Sequence, residues 1–81
     1  MLSASQIKAA RALLGWSGKD LAEKSGVGIT TLRRYELQDG LLIANKSVLT
    51  SLRVCFESAG IEFTGDPLKN PGVTLHLDEM K

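Results

Sequence analysis

Apolar residues recur at helical spacing from the start of the chain. Ile7, Ala10 and Leu14 lie three to four positions apart and predict a first helix that begins after Ser3 and ends at Gly15. Ser3 is followed three positions later by a glutamine, which is the pattern of a capping box at a helix start. We therefore expect a short helix with one apolar side.

Two further helices are predicted directly after the first. Ser17 can cap a second helix that ends at Gly26, because serine accepts from the amides of a first helical turn and glycine tolerates a left-handed end. The third helix is expected to open at Val27 or Gly28 and to end near residues 39–40. These three helices would follow one another with very short connections.

The junction between the second and third helices has the spacing of a helix-turn-helix. Two helices joined by a three- to four-residue turn must touch closely, and Ala22 is small enough to allow this. The turn commonly needs a positive φ, which Gly26 adopts without steric cost. Val27 and Leu32 are expected to fill the corner between the two helices.

A fourth helix and a hairpin complete the predicted elements. Asn45 or Ser47 caps the helix, and Gly60 ends it. Its expected apolar face consists of Val48, Leu49, Leu52, Cys55, Phe56 and Ala59. Apolar residues then alternate in segments 61–64 and 73–77, with glycine, proline and asparagine between them. The expected fold class is mostly α, with four to five helices and a C-terminal β-hairpin.

Composition narrows the class of protein. The chain has 81 residues, 43% hydrophobic and 23% charged, which is typical of one globular domain. One cysteine, Cys55, excludes a disulfide framework or a cysteine-based zinc site within one chain and fits a reducing cytoplasm. No stretch matches a signal peptide or a membrane span, so we expect a cytoplasmic protein without a membrane partner.

Charge is unevenly distributed along the chain. Residues 1–53 carry eight lysines or arginines and four acids, a net charge of +4, whereas residues 54–81 carry two and five, a net charge of −3. A basic part of this kind favours a polyanionic partner, although a short chain can show such asymmetry by chance.

The third predicted helix separates its residues into two sides. At about 100° per residue, Leu32, Tyr35 and Glu36 share one side. If Leu32 packs inward, the outward strip consists of Ile29, Thr30, Arg33 and Arg34. This chemistry suits the major groove of double-stranded DNA, because arginine reads guanine, threonine bonds base or phosphate, and isoleucine meets a thymine methyl. The alternative is a solvated helix face whose arginines only add solubility.

Residues 6–36, QIKAARALLGWSGKDLAEKSGVGITTLRRYE, contain an arginine in helix 1, Gly-aromatic-Ser before helix 2, Leu-Ala, Gly-Val and a final Tyr-Glu. In this pattern the chain resembles the phage-repressor-like helix-turn-helix regulators of the Xre/Cro type. The ending AGIEFTG…PGVTLHL resembles short bacterial members of that family. The resemblance implies a repressor-like domain, a recognition helix at residues 28–38, and a sequence-specific transcriptional regulator that binds double-stranded DNA. We also expect a homodimer, because an isolated hairpin is marginally stable in water and its apolar residues must pack on their own helix 4 or on a second chain.

The resemblance also implies contacts with the DNA backbone. The expected positions are Ser17, Gly18, Lys19, Gly28, Thr31 and Lys46. The family usually has glutamine at Gly18 and serine or threonine at Gly28, so this chain lacks two polar side chains there. Lys19 and the amides at the start of helix 2 can compensate, because a helix N-terminus attracts phosphate. Lys46 is equally consistent with a solvated lysine.

Arg11 and Glu36, 25 positions apart, are implied by the resemblance to form a partly buried ion pair between helices 1 and 3. The inward angle of Glu36 agrees with this expectation. The alternative is a surface acid beside Arg33 and Arg34, which would weaken a DNA-binding face.

No residues form a catalytic set. His76 is expected on the polar side of a strand and Cys55 on the apolar face of helix 4, so no nucleophile–base pair is predicted. We expect no enzyme activity, no cofactor and no metal site. We assign residues 1–60 to a helix-turn-helix DNA-binding domain and residues 61–81 to a hairpin and tail that can join two chains.

Two other functions stay open. The first is an antitoxin-like regulator whose acidic end binds a toxin protein. The second is a protein-interaction module of the same fold with weak DNA affinity, which Gly18 and the modest net charge favour.

Overall fold

A computed structural model of the protein describes residues 2–38 and 44–77. Within these residues, four helices precede a two-stranded antiparallel sheet. The elements are α1 (Ala4–Leu14), α2 (Gly18–Ser25), α3 (Ile29–Glu36), α4 (Lys46–Ser58), β1 (Ile61–Thr64) and β2 (Gly72–Leu75). The predicted fold class, mostly helical with a C-terminal hairpin, is confirmed.

Local capping sets the starts of α1 and α2. The Oγ of Ser3 accepts from the Gln6 amide at 3.2 Å, and the Gln6 Oε1 accepts from the Ser3 amide at 3.0 Å. Ser17 and Asp20 form the same reciprocal pair at the start of α2. These side chains satisfy amides that have no acceptor within the helix.

The starts of α3 and α4 resolve two alternatives in the prediction. Gly28 is the N-cap of α3, so the helix begins at Ile29, and no side-chain hydrogen bond caps it. Asn45, rather than Ser47, caps α4, because its Oδ1 accepts from the Val48 amide at 2.9 Å.

Helix α3 is shorter than the recognition helix expected over residues 28–38. It ends at Glu36, because the Gln38 amide donates to the Tyr35 carbonyl at 3.1 Å, an i→i−3 bond that closes the last turn instead of continuing it. The end predicted near residues 39–40 lies outside the described residues. The second strand also differs, since Gly72 pairs with Thr64 and the strand stops at Leu75.

One apolar core joins the helices and the hairpin. Its buried members are Leu2, Ala4, Ile7, Ala10, Leu21, Val27, Leu32, Tyr35, Leu52, Phe56 and Ile61. Phe56 stacks on Trp16 with ring centroids 5.8 Å apart and meets the edge of Phe63 at 5.9 Å. Cys55 is half-buried at the margin of this core, and burial raises the pKa of its thiol above the ordinary value.

The two faces of the hairpin have opposite character. Ile61 pairs with Leu75 and Phe63 with Val73, and these four side chains pack against the core. The opposite face carries polar residues, including His76, whose Nε2 lies 2.6 Å from a carboxylate oxygen of Glu62. No helix among the described residues is long and apolar enough to cross a membrane.

Candidate nucleic-acid interface

The eight residues of α3 present a polar outer side. Leu32 and Tyr35 are buried, whereas Thr30, Arg33 and Arg34 are exposed. Ile29, also predicted to read bases, is half-buried. The structure therefore brings Thr30, Arg33 and Arg34 onto one outward surface, which we call the recognition strip, with Ile29 at its inner margin.

An ion pair neutralises Glu36, the acid that follows the recognition strip on α3. Arg11 donates from Nε and from one terminal nitrogen to the two carboxylate oxygens of Glu36, each at 2.7 Å. The exposed fractions of the two side chains are 21% and 15%. Arg11 also donates to the Trp16 carbonyl at 3.1 Å, which ties α1 to the start of α2. Glu36 is therefore neutralised from the inner side of α3.

The two arginines of the recognition strip have no ion-pair partner within the described part of the chain. Among residues 2–38 and 44–77, no acidic side chain lies within ion-pair distance of Arg33 or Arg34. Both guanidinium groups can therefore meet an external acceptor without first breaking an ion pair of that kind.

The start of α2 is closed by a charged side chain. The Asp20 carboxylate accepts from the Ser17 amide at 2.9 Å, and the Ser17 Oγ accepts from the Asp20 amide at 3.0 Å. These bonds lower the pKa of Asp20 below its ordinary value, mainly through the backbone amide of Ser17. Gly18 and Lys19 occupy the same first turn. Asp20 was not among the predicted site residues, although its position three residues after Ser17 indicates a cap.

The start of α3 is open in comparison. The amides of the first turn have no acceptor within the helix, and Gly28 has no side chain that could cap them. A shallow groove of about 290 Å³ separates this turn from the start of α4. It is lined by Ser25, Gly26, Val27, Gly28, Thr31, Ser47, Val48 and Ser51. Lys46 is exposed at the first position of α4 and is not among the residues that line this groove.

The expected backbone-contacting residues thus lie at three helix starts. Ser17, Gly18 and Lys19 lie in and before the first turn of α2, and Gly28 and Thr31 lie at the start of α3. Lys46 is the first residue of α4. Glycine is not required by packing at Gly18, because a Cβ there would meet no atom within 4 Å. A longer side chain at this position would therefore extend into open space.

Comparison with known proteins agrees with this geometry. No curated protein and no solved structure gives a match to the chain. A family model described as Helix-turn-helix matches residues 7–39, a segment that contains α2, α3 and all but the first turn of α1. The match supports the helix-turn-helix family for this chain, and it ends before α4 and the hairpin.

Proposed function

We propose that this protein is a transcriptional regulator that binds double-stranded DNA by placing α3 in the major groove. The observation that carries the proposal is the recognition strip, Thr30, Arg33 and Arg34, which faces outward on the second helix of a helix-turn-helix. An α-helix fits the width of this groove, and its outward side chains then face the base edges.

Each residue of the strip has a defined role in this proposal. Arg33 and Arg34 offer paired donors that match the O6 and N7 acceptors of guanine. Thr30 bonds a base or a phosphate, and Ile29 contacts a thymine methyl from the margin of the strip. Arg11 acts indirectly, because its bonds to Glu36 hold a carboxylate away from the phosphates.

Backbone contacts would place the helix in the groove. The uncapped start of α3 at Gly28 and Thr31 presents amides that suit a phosphate, and Lys46 would add a contact from the first turn of α4. Ser17, Gly18 and Lys19 would contribute a second set from α2. Such contacts orient the protein on the duplex without reading its sequence.

We also propose that the protein acts as a homodimer through its hairpin side. A helix of eight residues spans about 12 Å, so it reads few base pairs, and a two-fold dimer doubles the site. Four apolar hairpin residues are already packed within their own chain, which leaves Leu68 and Leu77, 65% and 69% exposed, to contact a second copy.

The dimer interface is tested by point substitutions rather than by removing the hairpin, because removal of the hairpin would take the buried Ile61 out of the core. A Leu68→Lys, Leu77→Lys variant should elute as a folded monomer when the parent elutes as a dimer, as measured by sizing chromatography with light scattering. A parent that is monomeric at all concentrations, or a variant that stays dimeric, rejects this interface.

The DNA-binding proposal is tested on duplexes selected from a random pool. Arg33→Ala and Arg34→Ala should each cost about 1–3 kcal/mol on the selected site and relax a base preference. Arg53→Ala is the matched control, because Arg53 lies on α4 and pairs with Glu57 at 3.3 Å.

Salt dependence separates a DNA-binding regulator from an interaction module of the same fold. Binding that releases counterions weakens steeply as salt rises, with a slope set by the number of phosphates neutralised. A parent that binds no duplex at low salt, or an Arg33→Ala, Arg34→Ala variant that binds as tightly as the parent, contradicts the proposed function.

A further inference from the structure

We infer that the groove between α2 and α4, bordered by Trp16, Lys24 and Cys55, binds a small organic carboxylate with an apolar body. This inference goes beyond the proposed function and does not depend on it. The groove shares no residue with the recognition strip or with the expected backbone contacts.

The first step is the size of the groove. Its volume is about 580 Å³, twice that of the groove at the start of α3. Ligand sites in proteins commonly measure about 300–1,000 Å³. The end of α2 forms one wall and the side of α4 from Thr50 to Ala59 forms the other. The groove is therefore large enough for a small organic molecule.

The second step is the charge of the groove. Among residues 2–38 and 44–77, Lys24 is the only lining side chain that is charged at neutral pH, because burial raises the pKa of the Cys55 thiol and keeps it protonated. No described carboxylate lies within ion-pair distance of Lys24, and Asp20 interacts with it only from farther away. The groove therefore favours an anion.

The third step is the position of the Lys24 ammonium. Its Nζ lies 5.2 Å from the centre of the Trp16 ring, and Trp16 stacks on the buried Phe56 with ring centroids 5.8 Å apart. The ammonium is thus restrained by a cation–π contact with a ring that the core holds in place. A restrained cation loses less side-chain entropy when it pairs with a carboxylate.

The fourth step is the rest of the lining. Val54 is 54% exposed, which leaves an apolar side chain uncovered on α4, and Cys55 is half-buried beside it. On α2, the Ser25 Oγ accepts from the Val27 amide at 3.2 Å, so its own O–H can donate to a carboxylate. One cation beside apolar surface suits a monoanion better than a phosphate, which is commonly held by several amides or arginines.

The experiment uses phenylbutyrate as the probe and phenylbutanamide as its uncharged analogue. Trp16 is the only tryptophan and Cys55 the only cysteine of the chain, so both readouts come from the groove. Titration of Trp16 fluorescence measures the Kd, and protection of Cys55 from alkylation by iodoacetamide locates the probe. We expect saturable binding with a Kd of about 0.1–1 mM, because an open groove buries only part of so small a ligand.

Three variants test the contacts, and melting by circular dichroism verifies that each is folded. Lys24→Met should weaken phenylbutyrate about three- to fivefold, the effect of one exposed ion pair, and leave phenylbutanamide within about twofold. Lys19→Met is the matched control, because Lys19 is an exposed lysine of α2 outside the groove, and it should stay within about twofold. Val54→Glu places an acid in the groove and should weaken phenylbutyrate about tenfold.

Four outcomes would overturn the inference. Millimolar phenylbutyrate may change neither Trp16 fluorescence nor Cys55 alkylation, or phenylbutanamide may bind as tightly as phenylbutyrate. Equal weakening by Lys19→Met and Lys24→Met would show that net charge alone attracts the probe. A Trp16 signal that follows protein concentration instead of probe concentration would show that a second copy covers the groove. Failure of the parent to bind DNA would reject the proposed function and leave this inference standing.

Discussion

Helix α1 contacts both the recognition side of the molecule, which carries α3, and the hairpin side, which carries β1 and β2, but through different kinds of interaction. On the recognition side, Arg11 of α1 holds α3 through two charged hydrogen bonds to Glu36, each 2.7 Å long. On the hairpin side, Gln6 of α1 donates from Nε2 to the carbonyls of Gly72 and Thr64 at 3.2 Å and 3.4 Å. One contact is an ion pair and the other is a neutral amide.

The difference follows burial. The Arg11 and Glu36 side chains retain 21% and 15% exposure, so water still solvates part of their charge. Gln6 is only 2% exposed, where an ionised group would carry a far larger desolvation cost than an amide with its bonds made. The difference also suits the proposed function, because the recognition side has to neutralise an acid and the hairpin side does not.

Phe56→Ala should destabilise both the recognition side and the hairpin side and should have the largest effect. The ring is fully buried and lies between Trp16 and Phe63, so its loss should lower the free energy of unfolding by about 3–5 kcal/mol. Denaturant titration measures this change. Val54→Ala, at a site 54% exposed on the same helix, should stay within about 0.5 kcal/mol. Equal losses in the two variants would contradict the central position of Phe56.

Glu36→Gln should loosen the recognition side. It leaves Arg11 half-buried without its charge partner, and we expect a loss of about 2–3 kcal/mol in unfolding free energy. A double-mutant cycle with Arg11→Gln measures the coupling between the two side chains. The sum of the losses in the two single variants should exceed the loss in the double variant. Strictly additive losses would show that the pair contributes no coupling energy.

Gln6→Ala should loosen the hairpin side. It removes the acceptor of the Ser3 amide and the donor to two hairpin carbonyls, and we expect a loss of about 1–2 kcal/mol. Native-state hydrogen exchange should show faster exchange in β2 with little change in α3. The neighbouring Ser5→Ala, at an exposed site, is the control. Faster exchange across α3 as well would mean that the two sides do not respond separately.

Lowering the pH should weaken the cap that Asp20 forms at the start of α2, and this is the smallest of the expected effects. Its folded-state pKa lies below the ordinary 3.8, so its cap contributes fully above about pH 4 and is lost as pH falls through the lowered pKa. The melting temperatures of the parent and Asp20→Asn should therefore converge between pH 7 and pH 2.5. A constant difference over this range would exclude a contribution from ionised Asp20.

Sequence patterns predicted the elements whose causes are local. The capping box at Ser3 and the cap at Ser17 formed as expected, because each joins residues three positions apart. The glycine at the end of α2 has a φ of 77°, as a helix-turn-helix junction needs. The outward direction of Arg33 and Arg34 followed from helical geometry once Leu32 was assigned to the core.

The same patterns were less accurate at the end of α3. The sequence pattern placed the end of this helix near residues 39–40, and the resemblance implied a recognition helix at residues 28–38. The chain instead closes with an i→i−3 bond at Gln38, and Leu37 is left 86% exposed. Periodicity indicates which face a residue would occupy in a helix, but it does not indicate that the helix continues.

By itself, the sequence determined the four described helices and the polar strip on α3, since these depend on interactions between residues a few positions apart. It indicated the hairpin through two alternating segments separated by turn residues, but not the bounds of the second strand. The pairing of Glu36 with Arg11 was implied by the family resemblance, and the structure shows it at 2.7 Å. Only the tertiary structure decided what Gln6 bonds across the molecule and where Phe63 packs. A side chain's distant partner is chosen when the elements pack, because burial then makes every unpaired polar group costly.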